Sequence, residues 1–382
     1  MSRKSKEIDQ YPLVTPIYQS STFVFPDTAS LKDYQLGKKH GYLYTRYGNP
    51  TLTEVEKRMA ALEGAGRSLL FSSGMAAVST ACLSLLRSGD EIVSSAPLYG
   101  GTARLFEVIF KKLRINTRYF PAGRADRIAQ LITSKTRLIY LESPTNPNLQ
   151  IIDLQAVAGI AARSRIFSII DSTFATPINQ RPLHFGIRAV IHSATKYLGG
   201  HSDLIGGVVS GDDDFISAAV ETMKLLGGCA DPHQAFLIDR GLKTLEVRMM
   251  RHNQSAMRIA HFLEADKRVK RVAYPGLESH PQYQVARAQM SGFGGMISFD
   301  LASESRAVRF VDALKVVKNA VSLGGTESLI SIPIWTSHMG LNKAVLAKSG
   351  VTPGLLRLSV GLEEPEKLIA DIKFALSAAF KK

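Results

Sequence analysis

A carboxylate and an amine, each set just past an apolar run, carry the chemistry this chain offers. Phe167-Ser168-Ile169-Ile170 ends on Asp171, and Ala189-Val190-Ile191 leads through His192 to Ser193, Thr195 and Lys196. Both runs are rich in β-branched residues and read as buried strands. In an open α/β sheet, ligands bind at the C-terminal edge of the strands, so Asp171 and Lys196 can meet in one site. A lysine for a Schiff base, an acid opposite a ring nitrogen and hydroxyls for a phosphate are what pyridoxal phosphate requires. Taken singly, an Asp at a strand end is a cap or turn former and a Lys after a strand is a solvated charge. The weight comes from the rest of the chain.

The elements that must position these groups alternate between strand and helix. The spacing of Leu52, Val55, Met59 and Leu62 predicts a helix over 51–63, ended by Gly64 and Gly66. A short strand, Ser68 to Phe71, then meets Ser72-Ser73-Gly74-Met75, which opens a helix to about Leu86. A small-residue turn into a helix N-terminus gathers free backbone N–H groups and the positive end of the dipole, and so suits an anion. Strands come next at Glu91–Ser94, Asn116–Phe120 and Arg137–Glu142, with helices at Thr102–Lys112 and Ala125–Thr133 between them. Beyond Lys196 come a strand, Gly206 to Ser210, a helix from Asp213 to Leu226, and a long helix, Pro232 to Ala265, with a soft point near Gly241. Such alternation implies βαβ units and a largely parallel sheet. Tyr99 and Asn146 sit in turns just after strands, Tyr99 as a loop aromatic or a ring stacked on a cofactor, Asn146 as an Asx-turn former or a ligand.

After residue 230 the rhythm changes to short strands (Val269–Tyr274, Gly295–Phe299, Ala320–Val321, Leu356–Ser359) with intervening helices, an α+β pattern. Three segments result: an arm over 1–50, an α/β domain over 51–230, and a long helix with an α+β domain over 231–382. Arg357 lies among apolar residues on a strand, so it needs a carboxylate partner, either structural or a ligand's. The arm, with one short helix near Ala29 to Leu36, cannot fold alone. Its turn carries Tyr44 and Arg46, which are solvated or reach an anion in a partner subunit.

Composition narrows the classes. The chain has 382 residues and a formal net charge of +14, but its Lys and Arg are dispersed rather than clustered with aromatics, so no nucleic acid is expected. Two cysteines, Cys82 and Cys229, give neither a disulfide framework nor a zinc spacing. Nine histidines include no HExxH, so no metal is expected. No apolar run approaches the roughly 18 residues of a membrane span, and the basic start, Met1 to Lys6, has no apolar stretch behind it. A cytoplasmic protein with no membrane partner is expected.

With these residues in hand, the chain from about Pro12 to Phe380 resembles the cysteine/methionine-metabolism family of fold-type I pyridoxal phosphate enzymes. That family includes cystathionine γ-lyase, γ-synthase and β-lyase, methionine γ-lyase and the homoserine-ester sulfhydrylases. The resemblance implies an α/β fold-type I transferase architecture, a large mostly parallel sheet domain succeeded by a smaller α+β domain. It implies Lys196 as the Schiff-base lysine, Asp171 as partner of the pyridine nitrogen, and Gly74 and Met75 amides with Ser193 and Thr195 around the phosphate. Tyr99 would stack on the cofactor and assist the leaving group, and Asn146 would lie near the phenolic oxygen. Arg357, assisted by Ser322, would clamp the substrate carboxylate. Tyr44 and Arg46 would be lent by a neighbouring subunit in a homotetramer built as a dimer of dimers.

Two departures bear on the reaction. Methionine γ-lyases carry a cysteine where this chain has Gly101, and cystathionine lyases and γ-synthases often carry an acid where it has Val321. The activity expected is trans-sulfuration: a carbon–sulfur lyase that cleaves cystathionine or a related sulfur amino acid by γ- or β-elimination to a 2-oxoacid, ammonia and a thiol. The runner-up is a γ-replacement transferase acting on an activated homoserine. A catalytically inactive basic binding or scaffold protein is the rival from another class, and retention of Asp171 with Lys196 argues against it.

Overall fold

Two sheets organise the molecule. The structure, a computed structural model, describes residues 11–336, 339 and 350–381, so the basic start at residues 1–6 lies outside the described residues. The larger sheet comprises β1 (Arg67–Phe71), β2 (Glu91–Ala96), β3 (Asn116–Pro121), β4 (Thr136–Glu142), β5 (Phe167–Asp171), β6 (Ala189–Ser193) and β7 (Gly207–Gly211). Their spatial order is β1-β7-β6-β5-β4-β2-β3. Only β7 runs against the others, pairing antiparallel with both β1 and β6, so β1, β2, β4, β5 and β6 all end at one edge.

The apolar runs of these strands alternate between two cores. Leu138, Tyr140, Ile169 and Ile191 face one side, with residues of the helices Gly74–Leu83 and Asp213–Leu226. Ile139, Leu141, Ile170 and Val190 face the other, with the helix Leu154–Ser164. Covering on both faces is why parallel strands read as continuous hydrophobic runs. The helix Leu154–Ser164 is not among the sequence expectations, although its buried residues Leu154, Val157, Ala158 and Ala161 keep the helical spacing i, i+3, i+4, i+7.

The segment expected as one long helix is two, Pro232–Leu242 and Leu245–Ala265. Gly241 sits just before the break, and a Cβ there would lie 2.4 Å from the Gly199 carbonyl oxygen and 2.5 Å from that of Leu198. The chain therefore packs backbone to backbone at this point, against the loop just after Lys196. Expected single helices over 102–112 and 125–133 are also subdivided, the first into an α-turn and the π-helical Leu105–Phe110, the second into a 3-10 turn and Ile128–Leu131.

The smaller sheet holds β8 (Arg271–Ala273), β9 (Met296–Asp300), β10 (Lys318–Asn319), β11 (Leu329–Ser331) and β12 (Leu355–Ser359), ordered β10-β11-β12-β9-β8. The strand expected at Ala320–Val321 is displaced to Lys318–Asn319, though the Ala320 N–H still reaches Ile330 O at 3.1 Å. Ile297, Phe299, Leu356 and Leu358 fill a core with Ile259, Leu263, Phe310 and residues of the final helix, Pro365–Ala379. By the two-residue period of a strand, Arg357 must then face the opposite way, toward the larger sheet.

Candidate active site

The edge where the parallel strands end is built first from an anion cradle. Behind β1, the Ser73 hydroxyl oxygen accepts the Ala76 N–H at 3.1 Å and the Ser73 carbonyl accepts that of Ala77 at 3.1 Å. Among the described residues, no acceptor is placed on the N–H groups of Gly74 and Met75. A Cβ on Gly74 would lie 2.9 Å from Ser193 Cβ and 3.0 Å from Ser193 Oγ, so only glycine lets the free amides and that hydroxyl share one space. Two free amides at the start of a helix, facing a serine hydroxyl, fit a phosphate. Thr195 differs from expectation in detail: its hydroxyl donates to Gly206 O at 3.2 Å and accepts the Gly206 N–H at 3.0 Å. It would have to release the carbonyl to donate elsewhere.

Asp171 and Lys196 lie at neighbouring strand ends, Asp171 in register with Ile191. Asp171 Oδ1 accepts both the Thr173 N–H at 3.0 Å and the Thr173 hydroxyl at 2.6 Å, and Thr173 Oγ1 in turn accepts the Ser193 N–H at 2.8 Å. Among the described residues no cation pairs with Asp171. Burial raises its carboxyl above the usual range, only partly offset by the Thr173 hydrogen bonds. A carboxylate so placed favours a protonated ring nitrogen as partner. The Lys196 amine is pushed down to about 8, by burial first and by the Arg357 charge second. It is therefore able to exist as a free amine near neutral pH.

The smaller sheet closes the site. Lys196 Nζ donates to Ser322 Oγ at 2.9 Å. Arg357, 7% exposed, donates from Nη1 to Asn146 Oδ1 at 3.1 Å and from Nη2 to Ser322 O at 3.3 Å. No carboxylate of the described residues pairs with it, and burial lowers it to about 10. A buried guanidinium satisfied only by neutral oxygens is open to a ligand carboxylate. Ser322 holds a left-handed backbone with φ 93°, unusual for a residue with a side chain. Gly324 packs against Lys196 and Tyr197: a Cβ on it would lie 2.8 Å from the Tyr197 nitrogen.

Tyr99 is 46% exposed and its N–H donates to Glu142 Oε2 at 2.6 Å. A Cβ on Gly101 would lie 2.6 Å from the Tyr99 ring and 3.0 Å from Met75 Sδ, so the ring fills space that a side chain at 101 would need. Val321, expected on a strand, instead lies beyond one and is 64% exposed beside Ser322. Tyr44 and Arg46 are not drawn to Lys196 of their own chain. Arg46 Nη1 donates to Lys224 O at 2.9 Å, with its guanidinium 5.6 Å from the Tyr44 ring centre and 5.2 Å from that of Tyr47.

Two further residues belong to the site without being marked by the sequence. Thr173, two positions after Asp171, holds that carboxylate by an Asx-type pattern that could have been recognised. Glu142 ends β4 in register with Asp171, as Asp171 ends β5. Among the described residues, no group of acidic, cysteine or histidine side chains could hold a metal ion, and no helix is long and apolar enough to cross a membrane.

Known proteins resemble this chain along nearly its whole length. Residues 2–377 match the family model described as Cys/Met metabolism PLP-dependent enzyme. The chain is 41% identical over 362 residues to the cystathionine β-lyase of Lactococcus lactis subsp. cremoris, covering 94% of this chain and 93% of that one. It is also 41% identical over 369 residues to the L-methionine γ-lyase of Fusobacterium nucleatum, covering 95% and 93%. Among solved structures, cystathionine γ-lyase from Lactobacillus plantarum complexed with L-serine superposes with a TM-score of 0.90 at 37% identity, covering 95% of this chain and 93% of that one.

Proposed function

Since the chain belongs to the Cys/Met metabolism family of pyridoxal-phosphate-dependent enzymes, with the fold of its fold-type I members, we propose that it is a carbon–sulfur lyase for cystathionine or a related sulfur amino acid. The observation that carries this reading is the chain Lys196–Ser322–Arg357–Asn146. It places an amine that can lose its proton near neutral pH next to a buried guanidinium with no anionic partner among the described residues.

The Gly74 and Met75 amides and the Ser193 hydroxyl would hold the cofactor's phosphate, joined by Thr195 once it leaves Gly206. Asp171, steadied by Thr173, would hold the ring nitrogen, Asn146 would lie near the phenolic oxygen, and the Tyr99 ring would lie against the cofactor. When bound, pyridoxal phosphate supplies the covalent carrier and the electron sink that make the substrate's Cα proton acidic. Arg357 binds the substrate carboxylate and so fixes which Cα bond faces Lys196. Lys196 takes the Cα proton as general base and holds it for delivery within the site. Tyr99, half-exposed above the same space, donates a proton toward the departing sulfur. Water then hydrolyses the unsaturated amino acid left when the sulfur departs, so that with one water consumed the products are a 2-oxoacid, ammonia and a thiol.

Relatives at equal identity carry different activities, so the specific reaction rests on this chain's own residues. Gly101, filled by the Tyr99 ring, speaks against the methionine γ-lyase arrangement. Exposed Val321 favours a second reading, γ-replacement on an activated homoserine with a small thiol, since a valine offers nothing to a distal ammonium. The assembly that completes the site is proposed as a homotetramer, a dimer of dimers in which Tyr44 and Arg46 serve the neighbouring subunit. The near-complete exposure of Tyr11, Leu13 and Val24 in the arm supports a covering copy.

A product assay across cystathionine, methionine, homocysteine, cysteine and acylated homoserines, with and without added thiol, separates elimination from replacement. Release of 2-oxoacid without thiol supports the lyase, and product only with thiol overturns it. Lys196→Ala should abolish turnover and the borohydride-reducible link to the cofactor; full activity in that variant would refute the assignment.

A further inference from the structure

Glu142 is 5% exposed at the end of β4, and each of its carboxylate oxygens is committed to a different loop. Oε2 accepts the Tyr99 N–H at 2.6 Å, from the loop behind β2. Oε1 accepts the Asn146 N–H at 2.9 Å, from the loop behind β4. Asn146 in turn accepts Arg357 Nη1 through its side-chain oxygen at 3.1 Å. The Glu142 N–H is itself anchored on Ser95 Oγ at 3.1 Å, within the sheet. One planar group thus holds the backbone N–H of Tyr99 and that of Asn146, whose side chain meets the guanidinium.

That group is costly to keep. Among the described residues no cation pairs with Glu142, and Asp171 is its register neighbour on β5. Burial first, and repulsion from Asp171 second, raise its carboxyl above the usual range. Two backbone N–H groups alone do not demand such an arrangement, since water or a backbone carbonyl satisfies loops elsewhere. What only a carboxylate provides is two acceptors at a fixed separation on one rigid plane. Strongly perturbed buried carboxyls of this kind cluster at functional sites.

We propose that Glu142 is a positioning residue that sets Tyr99 and Asn146 at a fixed spacing and, through Asn146, aims the Arg357 guanidinium at the substrate carboxylate. This rests on Arg357 as the carboxylate clamp. Glu142→Gln keeps the shape but offers one acceptor and one amide donor, so one of the two loops loses its partner.

The test uses holoenzyme with pyridoxal phosphate bound and glycine as probe, titrated through the change in the cofactor's absorbance. Glycine presents the carboxylate without a sulfur to lose, so binding is read without turnover. In Glu142→Gln the glycine Kd should rise roughly tenfold, the scale of misaligning one charge-assisted hydrogen bond. In Arg357→Lys it should also rise, and the double variant should be no weaker than Arg357→Lys alone, because both act on one interaction. A merely structural role for Glu142 would give effects that multiply in the double variant. Multiplying effects, or a glycine Kd in Glu142→Gln within twofold of wild type, would overturn the proposal while leaving the clamp intact. An unchanged Kd in Arg357→Lys would overturn the clamp and this proposal together. Should Glu142→Gln fail to fold, Asn146→Ala breaks the same chain one bond further on: a raised Kd that does not multiply with Arg357→Lys supports the proposal, and a wild-type Kd refutes it.

Discussion

Lys196 Nζ donates to Ser322 Oγ at 2.9 Å across a sequence separation of 126 residues, so the larger sheet's amine is seated on a loop between two strands of the smaller sheet. A hydrogen bond to the ammonium favours the charged form, while burial and Arg357 oppose it and bring the group to about 8. In cofactor-free protein, an amine-reactive label should modify Lys196 with a midpoint near pH 8, against about 10.5 for ordinary lysines. Ser322→Ala should lower that midpoint further. A wild-type midpoint near the ordinary lysine value would show that the pocket does not destabilise the ammonium.

Gly74→Ala tests the anion cradle. Its new Cβ would meet Ser193 at 2.9 Å, with little room to yield because Ser193 N–H is held by Thr173. Overpacking of this kind costs about 1–3 kcal/mol. Pyridoxal phosphate affinity, measured by equilibrium dialysis, should fall by roughly tenfold or more, with a smaller effect on the Tm of cofactor-free protein. Equal affinity in variant and wild type would place the phosphate elsewhere.

Arg46 is held against its own chain's Lys224 carbonyl and makes no described contact with its own Lys196. If it serves the neighbouring site, Arg46→Ala and Lys196→Ala subunits, each inactive, should complement when mixed. Random remixing of equal amounts leaves one intact site in each hybrid dimer, about a quarter of wild-type activity. Zero recovery after subunit exchange has been demonstrated by mass would rule out a shared site.

Val321→Glu probes the rim of the substrate pocket. A glutamate there gives a distal ammonium a partner, but at 64% exposure water screens the contact. The preference for cystathionine over homocysteine, as a ratio of kcat/KM, should therefore rise by roughly three- to tenfold, below the full strength of a buried charged contact. Parallel losses on both substrates would mean damaged packing rather than altered recognition.

His252 supplies the acid limit. It is wholly buried, its ring lies 5.2 Å from that of Tyr197, and Nδ1 lies 2.8 Å from the Val360 carbonyl. Burial, and then the Arg248 charge, bring it down to about 4 despite that hydrogen bond. Its folded pKa lies below the unfolded value, so the stability it contributes is complete above about pH 6.5 and is lost as the pH falls toward 4. The loss is on the order of 3 kcal/mol. Denaturant unfolding from about pH 7.5 down to about 4 should show this slope, and His252→Gln should flatten it. An unchanged slope in the variant would assign the acid sensitivity to other groups.

The placement of Asp171 and Lys196 at strand ends was legible in the sequence because it depends on local pattern: buried β-strands announce themselves as apolar β-branched runs, and the residues just after such a run lie at the sheet edge. Gly64 ending the helix Pro50–Glu63, and the free amides at Gly74, were legible for the same reason, since caps and turns are decided within a few residues. Tertiary structure alone decided that Glu142 links Tyr99 to Asn146, that Ser322 receives the Lys196 amine, and that Val321 is exposed rather than packed in a strand. These contacts join groups 4 to 126 residues apart, and which carboxylate, hydroxyl or turn meets which depends on strand order and on how the smaller sheet docks. No hydrophobic period records that docking, because polar contacts at a sheet edge leave the apolar pattern of the strands unchanged.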